Sequence, residues 1–455
     1  MFRRIAIIGG GAAGATLLSE LIGRRTAQPL HLDWYTGPGT PGRGVAYATR
    51  SEQHLLNVRA ASMGMFAHRP GGFLEYARRN NPTIAATDFL PRRLYGDYLE
   101  EETAHALALA KAHGHDVHVV PFAVDAMVPE HDGVNVLHGD VETRVDAAVL
   151  ALGALPPQPH PAVSQAALAS GRYIVEPWPF LARSTDVPPP RRVALIGLGL
   201  TTVDLLLELS ARWPDTEFIA ISRHGQLPGT HGEQIGLPPE DGDVLLAAMR
   251  DAPTVRTWMH LLREACSHDD DWRSVIDGLR PHLSTLWADL SDDERGRFLR
   301  HARGTWERAR HRMPPQVAAR VATLERDGRL QRMRGRIRNV EADVDDELRL
   351  DMERAGQPIA PLHAELVIQA TGLDTDVRHT PHGLVRQLVT NGHILPDPFG
   401  LGCIASPDGR VHHADGPWSR LFALGALLRG TLWESTAMPE IRQHARQLAD
   451  RLLAP

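Results

Sequence analysis

"IAIIGGGAAGA", residues 5–15, is the stretch that decides the fold. Residues 4–8 (RIAII) form a short apolar run of the kind expected for a fully buried strand. Gly9, Gly11 and Gly14 follow in the spacing GxGxxG, and residues 12–23 carry a helical pattern. Between a strand and a helix these glycines serve different ends. Gly9 permits the tight turn, Gly11 lets a pyrophosphate approach the backbone, and Gly14 lets helix and strand pack closely. The helix N-terminus then offers free N–H groups and a positive dipole end to the phosphates. A tight turn with no ligand is the competing reading. The start "MFRRIAIIGGG" also has the arginines and apolar run of a secretory leader. That run is short, glycine-rich and continuous with a helix pattern, so a buried first strand is expected instead.

A second stretch of the same kind, "VALIGLGLTTVD", occupies residues 193–204. RVALI (192–196) is again a buried strand, and Gly197 and Gly199 repeat the first two glycines. Thr202 stands where the third glycine would be, so this helix is expected to sit slightly away from its strand. The next strand, EFIAISR, ends in Ser222 and Arg223. An acid there would favour NADH, whereas a Ser–Arg pair suits the 2′-phosphate of NADPH. An exposed loop arginine is the competing reading. After the first turn, Asp33 is the only acid near the strand end, beside Tyr35 and Thr36, and the ribose contact stays open. Two dinucleotides need two sites, and electrons can pass between them. FAD is expected at the first, which lacks a phosphate-selecting arginine, and NADPH at the second.

The composition fits that picture. The 455 residues are 43% hydrophobic and 23% charged, with net charge −6. This is enough chain for two or three domains and argues against nucleic-acid binding or a polybasic membrane anchor. Lys111 is the single lysine, so the basic residues are almost all arginine. Cys266 and Cys403 are far apart, with no CxxC, which speaks against a dithiol centre or a thiolate metal site and for a cytoplasmic protein. No apolar run reaches the roughly 18 residues of a membrane span. His113–His115 and His412–His413 lack metal-site spacing and are expected to be loop histidines, so no metal is expected. No nucleophile elbow or Ser/His/Asp arrangement is visible.

Residues 116–155 read as short strands, followed by proline-rich hinges at 156–161 and 186–192. Residues 239–325 read as a helical subdomain, with Trp258, Trp272, Trp287 and Trp306 expected as core rather than as a substrate cage. "AELVIQATG" (364–372) is similar to "AAVLALG" (147–153), which suggests a chain returning to its first domain after an insertion. A last amphipathic helix closes the chain.

These stretches, with "GRGVAYAT" (42–49), "HLLNVRAASMG" (54–64), "FLPRRLYGDYL" (89–99), "SRHGQLPGTH" (222–231), "ARHRMPP" (309–315) and "RGTLWESTAMPEIR" (429–442), resemble the two-dinucleotide-binding-domain flavoproteins. The likeness is greatest to a bacterial FAD/NAD(P)-binding family related to class B flavin monooxygenases and amine N-hydroxylases. The resemblance implies an α/β fold with two Rossmann-like domains. An FAD domain (1–188 and 326–455) would be split by an NADPH domain with the helical insertion (189–325). It implies cofactor contacts at Gly9, Gly11, Gly14, Arg43, Asn57, Gly197, Gly199, Thr202, Arg223, Gly372 (in "QATG") and Gly425. Gly425 is followed by Ala426 where an aspartate is usual. The N-terminus of the last helix would face the flavin, with Thr436 adding a hydrogen bond, unless Ser435 or Thr436 merely caps the helix. Arg308, His311 and Arg312 can share one helix face. Arg308 and Arg312 are candidate substrate contacts, and His311 and Arg312 candidate catalytic groups, against a plain solvated cationic face. The implied partners are a small-molecule substrate and molecular oxygen, with oxygen activated as a flavin C4a-hydroperoxide and a small amine or amino acid N-hydroxylated. An FAD/NADPH reductase and a nucleotide-binding regulator without turnover are the alternatives.

Overall fold

The computed structural model describes residues 2–183, 187–232, 242–268, 271–343, 346–372 and 374–454. Among them are seventeen strands. In chain order they are β1 (Arg4–Ile8), β2 (His31–Tyr35), β3 (Asp116–Val120), β4 (Ala126–Pro129), β5 (Val134–His138), β6 (Val141–Val145), β7 (Ala147–Leu150), β8 (Tyr173–Ile174) and β9 (Arg192–Ile196). They continue with β10 (Glu217–Ser222), β11 (Leu330–Arg334), β12 (Arg336–Ala342), β13 (Leu348–Arg354), β14 (Gln357–Ala364), β15 (Leu366–Gln369), β16 (Arg410–His413) and β17 (Gly416–Ala423).

Two sheets share one plan, parallel throughout except that β16 runs antiparallel to β17 at the edge of the first. The first has the order β16-β17-β7-β1-β2-β3, and the second β11-β10-β9-β15-β8. In each, the strand before the glycine turn pairs with the strand after its helix on one side (β1 with β2, β9 with β10). On its other side it pairs with a late strand that follows a three-stranded antiparallel sheet (β4-β5-β6 before β7, β12-β13-β14 before β15). Both central strands are buried on both faces. Ile5 and Ile7 pack toward the helices Ala12–Ile22, Arg92–Ala112 and Met438–Leu452, while Ala6 and Ile8 pack toward β4-β5-β6. Val193 and Leu195 likewise face the helices Leu200–Arg212 and Pro315–Arg326, while Ala194 and Ile196 face β12-β13-β14. Covering both faces of a parallel sheet requires such continuous apolar strands, which is why RIAII and RVALI look alike.

This plan corrects the expected boundaries. The second sheet extends past residue 326 to β15, and it takes β8 from before residue 189. The chain rejoins the first sheet only at β16 and β17. The likeness of 364–372 to 147–153 therefore has a different cause: β15 and β7 hold the same place in two separate sheets. The helical insertion lies between β10 and β11, in the helices Gly242–Asp251, Val255–His268, Trp272–Gly278, Leu283–Asp289, Asp292–Arg297 and Arg303–Arg310. Residues 239–241 and 269–270 of the expected helical region lie outside the described residues. The next helix, Pro315–Arg326, belongs to the second sheet's core instead, through Val317, Val321 and Leu324.

Candidate functional site: two glycine turns and the seam between them

The two turns match atom for atom in their backbone. Gly9 N donates to Tyr35 O and Gly197 N to Ile221 O, both at 2.8 Å. Ala151 N donates to Ile8 O and Ala370 N to Ile196 O, also at 2.8 Å. Gly9 (φ +129°) and Gly197 (φ +122°) adopt a conformation that disfavours side chains, and a Cβ on either would overlap the carbonyl of Ala151 or Ala370. Gly11 and Gly199 then cap their helices in extended backbone (φ −84°, ψ −174° and φ −87°, ψ −171°), with no side-chain cap. Both helix starts therefore present uncapped N–H groups at a place where a phosphate can reach them.

The third position separates the two. A Cβ on Gly14 would overlap the Gly9 carbonyl, which already accepts from Trp34 Nε1 at 3.0 Å. At the second turn a whole side chain fits: Thr202 is fully buried, and its Oγ1 donates to Gly197 O at 2.9 Å. The second helix thus stands farther from its strand, as a threonine at this position requires. Thr202 acts on the turn rather than on a ligand. Gly10 and Gly44 belong to the first turn as well, and the motif spacing alone did not single them out. A Cβ on Gly10 would overlap Thr36, and one on Gly44 (φ +55°) would come within 2.9 Å of Gly11 Cα. The glycine run 37–44 was the available signal.

Several expected side-chain contacts are redirected. Arg43 turns away from the turn. It binds Glu100 at 2.5 Å and also Asp97, in room left by Gly96. Asp33 is buried and held by Arg4 (2.8 Å) and His118 (3.1 Å), so it is not free for a ribose. Asn57 contributes its carbonyl, 3.0 Å from His231 Nε2, and thereby ties the first unit to the segment after β10. Burial, helped by the charges of Arg312 and Arg59, pushes His231 down to about 4. Gly372 (φ +89°) is exposed, with open space around it.

Gly425 (φ +86°) comes close to the first turn: a Cβ there would lie 3.8 Å from Ala13 Cβ and 4.0 Å from Ser435 O. Thr436 is exposed, and Ala437 is the N-cap of the last helix, without a side-chain cap. Ser435 is the buried hydroxyl instead, and its Oγ has no hydrogen-bond partner among the described residues. The cause is the residue before Glu434. Trp433 adopts φ +59°, ψ −62°, and Glu434 N donates to Leu432 O at 2.7 Å, which makes a γ-turn of the rare, strained kind. That reversal turns Ser435 inward. An orphaned buried hydroxyl beside a glycine cradle fits the polar edge of a flavin, whereas exposed Thr436 does not.

At the second unit, Arg223 is exposed at the end of β10 with no ion pair among the described residues, next to Arg334 across the strand pair. The expected Arg308–His311–Arg312 face does not form, because the helix ends at Arg310 with His311 as its C-cap. His311 Nε2 lies 2.9 Å from Glu307, which also binds Arg429 at 2.6 Å. Burial alone would raise the Glu307 carboxyl, but His311, Arg429 and Arg303 bring it down to about 2. Arg312 is almost fully buried and paired with Asp277 (2.6 Å), while its Nε and Nη1 have no partner among the described residues. Arg308 binds Gln226.

Residues 6–155 match a family model described as FAD-NAD(P)-binding. This part of the chain is an FAD-NAD(P)-binding domain. No curated protein sequence matches the chain. Solved structures match it over nearly its whole length. The ornithine N-hydroxylase of Kutzneria sp. 744 is similar at TM-score 0.66 and 16% identity, covering 99% of both chains. An L-lysine 6-monooxygenase from Pseudomonas syringae is similar at TM-score 0.67 and 18% identity, also covering 99% of both chains. An FAD-bound cadaverine monooxygenase from Erwinia amylovora is similar at TM-score 0.67 and 13% identity, covering 100% of this chain and 96% of its own. At these identities the likeness establishes a shared fold of two Rossmann-like units. Among the described residues, no helix is long and apolar enough to cross a membrane, and no His/Cys/Asp/Glu group is placed to hold a metal.

Proposed function

We propose that the protein is an FAD-dependent, NADPH-using oxidoreductase working as a single-component flavin monooxygenase. The observation that carries this is the repeated turn: one chain builds two phosphate-binding geometries on two sheets. The first unit would hold FAD through Gly9, Gly11, Gly14 and Gly425, with Ser435 meeting its polar edge. The second would hold NADPH through Gly197, Gly199 and Arg223. Bound FAD supplies hydride acceptance from NADPH and onward transfer of reducing equivalents to oxygen.

The chain's own part is placement and electrostatics. The helix Met438–Leu452 begins uncapped beside Ser435, so its positive end stabilises negative charge that develops there. The Glu307–His311–Arg429 cluster joins the helical insertion to the segment that carries Gly425 and Ser435, and it fixes how the two approach. Arg223 would select the 2′-phosphate.

A reductase without oxygen insertion is the second reading. If the acceptor were a disulfide, a thiol pair would be needed, and the cysteines speak against one. Cys266 lies in the helical insertion while Cys403 is buried in the core of the first unit, where burial raises its thiol to about 12.

The test is flavin absorbance of the purified protein, first on anaerobic NADPH addition and then on admitting oxygen. Bleaching by NADPH, then slow reoxidation with little hydrogen peroxide, supports a monooxygenase. Rapid reoxidation with stoichiometric peroxide supports the reductase. No bleaching overturns both.

A further inference from the structure

The helical insertion, with Trp433, lines a partly open cavity of ≈ 450 Å³. Trp258, Trp272, Trp287 and Trp306, expected as plain core, all line it. Core they partly are: Trp258 and Trp287 are buried in the cluster that holds the insertion together. Protein interiors otherwise pack with few voids larger than a water molecule, and this volume falls in the range of small-molecule sites.

Two irregular pieces of backbone converge on the cavity. Phe298 and Ala302, at the ends of a π-helical turn (Phe298–Ala302), form one wall. Trp433, at the centre of the strained γ-turn, forms another and stacks on Trp287 at 4.8 Å. Such backbone is costly and concentrates at functional sites. The same γ-turn places Ser435 beside Gly425, so one short segment borders both the cavity and the expected flavin position.

The chemistry of the wall selects its ligand. The described lining contains no aspartate or glutamate. It offers no carboxylate to the ammonium of a diamine or a basic amino acid, and the two arginines of the lining, Arg263 and Arg308, repel such a cation. Trp306 Nε1 is buried without a hydrogen-bond partner among the described residues, which leaves one donor for a ligand acceptor. Arg263 and Arg308 are the charged lining residues.

We propose that this cavity is the substrate pocket and that it takes a largely apolar, aromatic-sized molecule bearing a single acceptor, neutral or anionic. As a substrate assignment this rests on the oxidoreductase reading. As a binding site it stands on the cavity alone.

The probe is 1-anilinonaphthalene-8-sulfonate, which joins apolar rings to one acceptor group. Its fluorescence is titrated against the full-length, FAD-containing protein. Ala309→Trp, which fills the cavity, and Leu262→Lys, which charges it, should each weaken binding at least tenfold. Val141→Lys, on an exposed strand elsewhere, should leave it unchanged. Trp306→Phe should weaken it about ten- to hundredfold, the worth of one hydrogen bond to a charged group such as the sulfonate. Retained flavin absorbance shows that each variant is folded. A measurement without variants uses Cys266, which lines the cavity, while Cys403 is buried. Saturating probe should slow its reaction with a disulfide reagent at least fivefold. Unchanged binding in both Ala309→Trp and Leu262→Lys, an unprotected Cys266, or displacement of the probe by L-ornithine would each overturn the proposal. If the probe binds as expected but NADPH does not bleach the wild-type flavin, the pocket survives and the redox reading fails.

Discussion

Gly199→Ala separates a binding role from a folding role, because the geometry makes the change harmless to the protein itself. A Cβ at position 199 meets nothing within 4 Å, and φ −87° with ψ −171° is ordinary extended backbone for any residue. Losing glycine at a helix cap costs up to about 1 kcal/mol. The reduced freedom of the unfolded chain returns about 0.4–1 kcal/mol. The two nearly cancel, so the melting temperature should move by only a few degrees. The new methyl group would occupy the space that a pyrophosphate needs in order to reach the uncapped N–H groups. Losing one charge-assisted hydrogen bond costs about 1.5–3 kcal/mol, or roughly ten- to hundredfold in affinity. The assay is stopped-flow flavin reduction under anaerobic conditions across NADPH concentrations, with a thermal melt of the same sample. The NADPH concentration for half-maximal rate should rise by that factor, with flavin content unchanged. An unchanged half-maximal concentration at unchanged melting temperature would refute the assignment of the Gly197–Gly199 turn. Gly197→Ala gives no such answer, since its Cβ would overlap the Ala370 carbonyl and the fold would suffer first.

Arg223→Ala should weaken NADPH about ten- to hundredfold and leave NADH nearly unaffected, since only the 2′-phosphate loses its partner. Equal losses for both nucleotides in the same reduction assay would remove Arg223 from phosphate selection. Ser435→Ala should lower FAD affinity about two- to tenfold, the worth of one ordinary hydrogen bond, while the apoprotein melts no earlier, because an unpartnered buried hydroxyl is deleted. An earlier-melting apoprotein with unchanged FAD affinity would make Ser435 purely structural. Glu307 predicts acid behaviour. Its folded value of about 2 lies below the ordinary 4.5, so its stabilisation is present above pH 4.5 and is lost as pH falls toward 2. The loss is on the order of 3 kcal/mol at the low end. Glu307→Gln should flatten that part of the stability–pH curve, and denaturant melts between pH 5 and 2.5 would show it.

The turns were legible in the sequence because their constraint is local. A positive φ under a neighbouring carbonyl admits only glycine, and a fully covered strand admits only apolar residues. Thr202 could be read for the same reason, as a side chain that forces helix and strand apart. The domain boundaries were not legible. An apolar strand ending in a small-residue turn looks alike wherever it sits, and only pairing shows that Leu366–Gln369 lies beside β9 rather than β1. Side-chain destinations failed where a distant partner decided them. Asp97 and Glu100, on a helix far along the chain, capture Arg43. A helix that stops at Arg310 sends Arg308 and Arg312 to different surroundings. Ser435 rather than Thr436 points inward because of the backbone at Trp433, a strain that residue types do not announce. The cavity failed for a related reason: four tryptophans, one on each of four helices, have one signature whether they fill a core or wall a pocket.

What distinguishes the two turns also matches the two cofactors proposed for them. At the first, Gly14 brings the helix hard against the strand, and Trp34 Nε1 locks the Gly9 carbonyl from the neighbouring strand. Arg43, next to Gly44, is neutralised by Asp97 and Glu100, so it offers nothing to a 2′-phosphate. That suits a dinucleotide without such a phosphate, held through many turnovers. At the second, Thr202 keeps the helix at a distance, and Arg223 stands exposed with no ion pair among the described residues. That suits a nucleotide that carries the extra phosphate and must leave after giving up its hydride. If the loose turn serves exchange, closing it should slow release. Thr202→Gly removes both the spacer and the hydrogen bond to Gly197 O, and lets the second helix approach as the first one does. The apparent NADPH affinity would then rise or hold while turnover falls, a split that a merely damaged fold would not produce.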